Sequence, residues 1–206
     1  MTGGRLFVVA APSGGGKTSL VNALLEREPR LRVCVSHTTR KPRANEVNGR
    51  NYHFVDTAEF RRLIAAGGFL EHAQVFDNFY GTSRMALERA FADGFDVILE
   101  IDWQGARQVR AAVPDCVTIF ILPPTRAALE ERLRNRGTDS PQIIARRLRA
   151  AIGDMSHAAE FDYVVVNDRF ERAVEDLQRI CRGNAPDLRS QRAETAQLMA
   201  ELLRMP

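Results

Sequence analysis

A buried strand, a glycine-rich turn and the start of a helix, all within the first 27 residues, constrain this chain most. The apolar run Leu6–Ala10 is followed by Ala-Pro-Ser-Gly-Gly-Gly-Lys-Thr at residues 11–18, and a helical pattern then covers Lys17–Arg27. In such a turn the backbone N–H groups converge, and the helix N-terminus adds the positive end of its dipole. The segment therefore predicts a cradle for nucleotide phosphates.

Two side chains of this segment carry specific chemistry. The Lys17 ammonium is expected to reach the outer phosphates of a nucleoside triphosphate, and the Thr18 hydroxyl is a suitable ligand for Mg²⁺. Lys17 is one of two lysines among 29 basic residues, which favours a role that a broad guanidinium cannot fill. The usual motif opens with glycine, where this chain has Ala11. The alternative is a glycine-rich turn without a ligand.

Strands that alternate with helices predict an α/β fold with a parallel sheet covered by helices. Continuous apolar runs predict buried strands at Leu6–Ala10, Val97–Ile101, Val117–Leu122 and Tyr163–Val166. Amphipathic patterns predict helices at Lys17–Arg27, Arg84–Ala92, Gln104–Ala112, Ala127–Arg134, Gln142–Met155 and Glu171–Arg182, with a further helix at about 190–203.

Two stretches interrupt this alternation. Residues 34–81 contain short strand-like pieces at Val33–Ser36 and Asn51–Val55 and a helix near Ala58–Ala66, which predicts a small inserted lobe. Residues 125–157 carry seven arginines on two helical patterns joined by a turn. We interpret this second stretch as a lid, and the alternative is a solvated helix pair.

Composition narrows the function classes. The 206 residues fit one domain, and the net charge of +3 reflects either a solvated arginine-rich surface or an anionic substrate. The chain lacks a basic stripe interleaved with aromatic residues, so its sequence does not predict nucleic-acid binding. No apolar run approaches the roughly 20 residues that span a bilayer, and we expect no signal peptide because Leu6–Ala10 is too short for its apolar core. The three cysteines, Cys34, Cys116 and Cys181, are expected to be buried free thiols, and the expected location is the cytoplasm.

A second group of polar residues follows the first helix. Ser36, Arg40 and Arg43 lie within eight residues, and guanidinium groups bind phosphate oxygens through two parallel hydrogen bonds. Tyr52 and Tyr80 can add phenolic donors. These residue types predict a second phosphate site, distinct from the glycine-rich cradle.

Two acidic residues mark the end of a predicted strand. Glu100 and Asp102 are two residues apart, so they share one face near the carboxyl end, where parallel sheets bind ligands. Carboxylates there suit water-mediated Mg²⁺ binding or hydrogen bonding to a nucleobase. A strand-end acid can equally be a helix cap, and this alternative stays open.

Several motifs in order and spacing resemble those of bacterial guanylate kinases, from Gly4 to about Arg182. Besides residues 11–18 and 35–43, these are Gly-Arg-Asn-Tyr-His-Phe-Val (49–55), Phe-Leu-Glu-His-Ala (69–73), Tyr-Gly-Thr-Ser (80–83), Glu-Ile-Asp-Trp-Gln-Gly-Ala (100–106), Ile-Phe-Ile-Leu-Pro-Pro (119–124), Arg-Leu-Arg-Asn-Arg-Gly (132–137) and Val-Val-Asn-Asp (165–168). The resemblance implies a P-loop nucleoside monophosphate kinase that uses Mg²⁺ to transfer the γ-phosphate of ATP to GMP. It implies a single domain with a core (1–34, 82–125, 158–206), a GMP-binding lobe (about 35–81) and a lid (about 126–157).

The same resemblance implies the roles of individual residues. For ATP it implies Ala11, Pro12, Ser13, Gly14, Gly15, Gly16, Lys17, Thr18, Ser19 and Asn167. For the GMP phosphate it implies Ser36, Arg40, Arg43, Tyr52 and Tyr80, and for guanine it implies Glu71, Thr82 and Asp102. Lys17, Arg40, Arg136 and Arg147 are the implied catalytic residues, Thr18 is the implied magnesium ligand, and Glu100 is a candidate through water.

Carboxylates suit guanine because its N1–H and N2 amine donate, whereas N1 of adenine accepts. Two positions depart from the family pattern: Phe79 and Glu100 stand where relatives commonly have tyrosine and aspartate. The alternatives are a scaffold protein that keeps the fold without catalysis and a kinase acting on a ribose phosphate. The scaffold alternative is disfavoured by the retained Lys17, Thr18, Arg136 and Arg147. The ribose phosphate alternative is disfavoured by Glu71 and Asp102. The C-terminal helix pattern is compatible with a homo-oligomer.

Overall fold

The computed structural model describes residues 4–135 and 140–204, which fall into two compact units. The first unit comprises residues 1–8 and 29–117, and the second comprises residues 9–28 and 118–206. The predicted Arg136 site lies outside the described residues.

The strands of the main sheet are arranged in the order β2-β7-β1-β8-β9. In the first unit β2 is parallel to β7, with Leu31 opposite Asp96, and in the second β8 is parallel to β9, with Ile119 opposite Tyr163. Every residue of β1 is buried, as the continuous apolar run predicts. The strands are β1 Leu6–Ala10, β2 Leu31–Val33, β7 Asp96–Glu100, β8 Val117–Leu122 and β9 Tyr163–Val166. The predicted α/β class with a parallel sheet is confirmed.

The helices agree with the sequence patterns to within a few residues at each end. They are α1 Lys17–Arg27, α2 Thr57–Ala65, α3 Arg84–Ala92, α4 Trp103–Ala112, α5 Arg126–Asn135, α6 Pro141–Met155, α7 Phe170–Cys181 and α8 Ala193–Leu203. Capping explains several starts, because the side chains of Asp56, Ser83 and Ser140 accept backbone N–H bonds in the first turns of α2, α3 and α6. In the second unit α7 packs on α1, and α6 contacts both α5 and α8.

A second, four-stranded sheet in the first unit has the order β4-β3-β6-β5. Its strands are β3 His37–Thr38, β4 His53–Phe54, β5 Phe69–Val75 and β6 Asn78–Ser83. The antiparallel hairpin of β5 and β6, which places Glu71 opposite Thr82, is absent from the sequence-based expectation. Two expected strand boundaries were also wrong: Val33–Ser36 contains only the last residue of β2, and Asn51–Val55 contains only the two-residue β4.

The described chain contains no helix long and apolar enough to cross a membrane. Cys34, Cys116 and Cys181 are buried free thiols, as predicted.

Candidate active site

The glycine-rich turn joins β1 to α1 in the second unit and has the geometry of a tight loop. Gly14 and Gly16 adopt φ of 90° and 91°, a region that glycine enters without strain. The Gly15 N–H donates to the Pro12 carbonyl over 2.9 Å, which closes the turn. A Cβ on Gly14 would lie 3.0 Å from side-chain atoms of Leu129 and Leu133 in α5, so this glycine also permits close packing of the loop on that helix.

Asn167 follows β9 and is joined to this loop. Its side-chain amide Nδ2 donates to the Gly15 carbonyl over 2.9 Å, and its backbone N–H donates to Leu122 over 2.8 Å. The side chain leaves no room for a Cβ on Gly16, and Asn167 is only 6% exposed. Asn167 is therefore a buried support of the loop in this structure. Its contact with adenine stays a prediction.

Arg132 in α5 is a residue that sequence reasoning missed. Its Nη2 donates to the Asn167 carbonyl over 2.7 Å, whereas its buried Nη1 has no hydrogen-bond partner in the described structure. A buried guanidinium nitrogen without a partner costs free energy unless a ligand accepts from it. The seven arginines of this stretch gave no signal that would single out Arg132.

The other described residues predicted to bind ATP or act in catalysis in the second unit lie on the loop and on two helices. Lys17 and Thr18 open α1, with Lys17 half-buried and Thr18 and Ser19 exposed. Within the loop Pro12 is buried, and Ala11 and Ser13 are half-buried. Arg147 is half-buried on α6. The N-terminal turn of α1 thus places an ammonium and a hydroxyl directly after the glycine-rich loop.

In the first unit Arg40 is held by a carboxylate that the sequence analysis did not identify. Its Nη2 lies 2.8 Å from Oε1 of Glu46, and the two side chains are only 17% and 15% exposed. The other oxygen of Glu46 accepts from the Arg43 backbone N–H over 2.8 Å. Burial alone raises the pKa of Glu46, but the hydrogen bonds from Arg40 and Arg43 outweigh it and lower that pKa. Glu46 therefore stays ionised and orients Arg40.

Two tyrosines and Glu100 complete the surroundings of Arg40. The Arg40 guanidinium lies 5.5 Å from the Tyr52 ring centroid, and the rings of Tyr52 and Tyr80 meet edge to face at 5.9 Å. Burial chiefly, then the charges of Tyr80 and Glu100, raise the pKa of Tyr52 to about 12. The Tyr52 hydroxyl thus stays protonated at neutral pH and can donate a hydrogen bond. Glu100 is half-buried at the end of β7, as predicted.

Ser36 and Phe79 belong to the four-stranded sheet and its connections. Ser36 is buried, and its carbonyl accepts from the His53 N–H over 2.9 Å, whereas Arg43 is exposed. The Phe79 ring stacks on Phe60 at 5.6 Å between centroids. Phenylalanine suits this position because its ring packs on another aromatic ring.

Glu71 is the most deeply buried acid of the predicted site. It is 3% exposed on β5, and its Oε1 accepts from the Thr82 hydroxyl over 2.6 Å. Burial chiefly, with the charge of Glu71, raises the pKa of Cys34 to about 11. Glu71 and Thr82 are therefore brought together as predicted, and a neutral thiol lies near them.

Asp102 caps α4, which was the alternative left open by the sequence. Its Oδ1 accepts from the Gly105 N–H over 2.8 Å, and Gln104 Nε2 lies 3.3 Å from its Oδ2. Among the described residues no group of three or more His, Cys, Asp or Glu could hold a metal ion.

Three comparisons with known proteins bear on this geometry. The guanylate kinase family model matches residues 3–184. The guanylate kinase of Alkalilimnicola ehrlichii is 54% identical over 200 residues, covering 97% of this chain and 98% of the relative. That of Chromohalobacter salexigens is 56% identical over 200 residues, covering 97% and 93%. The crystal structure of guanylate kinase from Anaplasma phagocytophilum matches with a TM-score of 0.73 and 33% identity, covering 100% of this chain and 98% of that one.

The phosphate loop, the arginine–tyrosine cluster and the buried Glu71 are thus accompanied by high identity over nearly the whole chain. The chain therefore belongs to the guanylate kinase family, and it is an enzyme that transfers a phosphoryl group from ATP to GMP.

Proposed function

We propose that the second unit binds ATP and that the first unit binds GMP in this reaction. The phosphate loop, residues 11–19, would hold the ATP phosphates through its N–H groups and Lys17. Asn167 would support the loop through its bond to the Gly15 carbonyl. Arg132 joins this set because its Nη1 is buried without a hydrogen-bond partner. Arg136 and Arg147 would neutralise charge on the transferred phosphoryl group, as their motif implies. Positioning and electrostatics supply most of phosphoryl-transfer catalysis, so no covalent nucleophile is required.

Mg²⁺ fits this donor set. Magnesium prefers oxygen ligands, keeps several waters, and is commonly bound by one or two protein groups together with substrate phosphates. The exposed Thr18 hydroxyl supplies such an oxygen at the start of α1, and the Glu100 carboxylate would act through water. When bound, the ion would neutralise charge on the β- and γ-phosphates.

In the first unit Arg40, with Arg43, Ser36, Tyr52 and Tyr80, would bind the GMP phosphate. The support is chemical: Arg40 is oriented by Glu46, and the raised pKa of Tyr52 keeps its hydroxyl a donor. The substrate phosphate would compete with Glu46 for Arg40. We assign residues 35–81 to the GMP-binding lobe and 126–157 to the lid of a single-domain enzyme that acts in the cytoplasm.

Base selection would rest on Glu71, with Thr82 and Asp102 beside it. The observation that carries this proposal is the buried Glu71 carboxylate, which accepts from Thr82 through Oε1. Guanine offers N1–H and an N2 amine to such an acceptor, whereas N1 of adenine is itself an acceptor. A buried carboxylate facing adenine would lose its hydrogen bonds, and the mismatch would exclude AMP.

The test is Glu71→Gln, assayed with ATP and with GMP, AMP, CMP or UMP as acceptor. Loss of charge-assisted hydrogen bonds should lower kcat/KM for GMP by about 10- to 100-fold and narrow the preference over AMP. The matched control is Glu59→Gln on α2, which changes a surface glutamate that pairs with Arg62. An unchanged ratio of GMP to AMP in Glu71→Gln would refute the base-selection role.

A further inference from the structure

The first turn of α4 lies directly against the Glu71 side chain. A Cβ on Gly105 would be 2.5 Å from Oε2 of Glu71 and 3.2 Å from its Cδ. Real Cβ atoms do not approach another heavy atom that closely, so either the helix or the carboxylate would have to move. Gly105 itself is buried, and its N–H is already bound by Asp102. Only a residue without a side chain fits here.

The position of α4 along β5 is fixed by contacts one turn after Gly105. The Gln108 side chain accepts from the His72 N–H over 3.1 Å and donates to the His72 carbonyl over 2.8 Å. His72 directly follows Glu71, so this pair of bonds ties the helix to the strand beside the carboxylate.

From these contacts we propose that Gly105 is a specificity-determining positioning residue for guanine. Its missing side chain lets the first turn of α4 approach Glu71, Gln108 holds the helix at that distance, and the carboxylate is thereby confined to the position from which it accepts from the base. This inference rests on the base-selection role proposed above for Glu71. It adds that the shape of α4, and not Glu71 alone, sets the preference for the base.

The test compares Gly105→Ala with Ala111→Ser. The control also adds one side-chain heavy atom to α4, at an exposed residue outside the proposed lid. We expect Gly105→Ala to raise KM for GMP at least tenfold and to narrow the preference for GMP over AMP, with KM for ATP changed less than twofold. Ala111→Ser should leave all three quantities within twofold. A purely structural role of Gly105 would not separate the two substrates.

Two further variants keep the proposal testable if Gly105→Ala does not fold. Gln108 is exposed, so Gln108→Leu should fold while losing both bonds to His72, and it should raise KM for GMP in the same selective way. Glu71→Asp withdraws the carboxylate from residue 105, so the double variant Glu71→Asp/Gly105→Ala should be no worse than Glu71→Asp alone. Additive effects in the double variant would overturn the proposal, as would unchanged GMP kinetics in Gly105→Ala or Gln108→Leu.

The outcome separates this inference from the function on which it rests. If Glu71→Gln narrows the preference for GMP but Gly105→Ala does not, only the inference fails. If Glu71→Gln itself leaves the preference unchanged, the base-selection role fails first.

Discussion

Replacing Asn167 by aspartate removes a hydrogen-bond donor from the phosphate loop while keeping the shape of the side chain. In the native chain Nδ2 donates to the Gly15 carbonyl over 2.9 Å at a residue that is 6% exposed. The aspartate would face that carbonyl with an acceptor. A buried carbonyl without its partner costs about 1–3 kcal/mol, and each 1.4 kcal/mol corresponds to a tenfold change in an equilibrium constant.

If the loop relaxes away from its nucleotide-binding conformation, ATP binding must restore it at that cost. We therefore expect KM for ATP to rise by about fivefold to 150-fold in Asn167→Asp, while KM for GMP changes less than twofold. Steady-state kinetics with each substrate varied in turn, at saturating partner, measures both. The matched control is Gln197→Glu, which makes the same amide-to-carboxylate change on the exposed part of α8.

A thermal melt of each variant completes the experiment. A lower melting temperature of Asn167→Asp with an unchanged KM for ATP would refute the proposed role of Asn167. The bond to Gly15 would then stabilise the fold without shaping the loop. An equal rise of both KM values would refute it as well, since we propose that the loop binds ATP and not GMP.

Three further outcomes are expected. Lys17→Ala should abolish turnover with an unchanged melting temperature, and a near-normal kcat would contradict the cradle assignment. Asp102→Asn keeps a good helix cap, so it should narrow GMP preference over AMP more than it weakens ATP binding; unchanged AMP discrimination would remove Asp102 from the base site. Burial chiefly, with the His53 charge and against that of Glu59, lowers the pKa of His37 below its usual 6.5. The unfolded chain therefore binds more protons in acid, and the free energy of unfolding should fall as pH drops below about 6.5. Denaturant titrations should show a shallower fall in His37→Phe.

Local patterns predicted the elements to which we assign ATP binding. The apolar run of β1, the glycines and the periodicity of α1 all depend on neighbours in sequence, and the observed bounds agree with the prediction. The hairpin of β5 and β6 was missed because its turn holds Phe76 at φ 54° and its strands mix buried with exposed residues. Such a strand pair is defined by its partner more than by its own sequence.

Two residues that contact the predicted site residues were missed in the sequence analysis for the same reason. Glu46 lies in a loop, and only the fold shows that its carboxylate reaches both Arg40 and the Arg43 backbone. Gly105 looks like an ordinary helical glycine until the distance to Glu71 is known. Residue types thus predicted candidate phosphate-binding and base-binding residues, whereas the residues that position those groups required the tertiary contacts.

The buried native cysteines can serve as probes of local opening in this enzyme. Cys34 and Cys116 belong to the first unit and Cys181 to the second, and each is at most 6% exposed. A thiol reagent can reach them only after the surrounding segment opens, and the raised pKa of Cys34 makes its thiolate scarce at neutral pH. Labelling kinetics followed by mass spectrometry would therefore time the opening of each unit separately, without an introduced probe, and would reveal which unit each nucleotide protects.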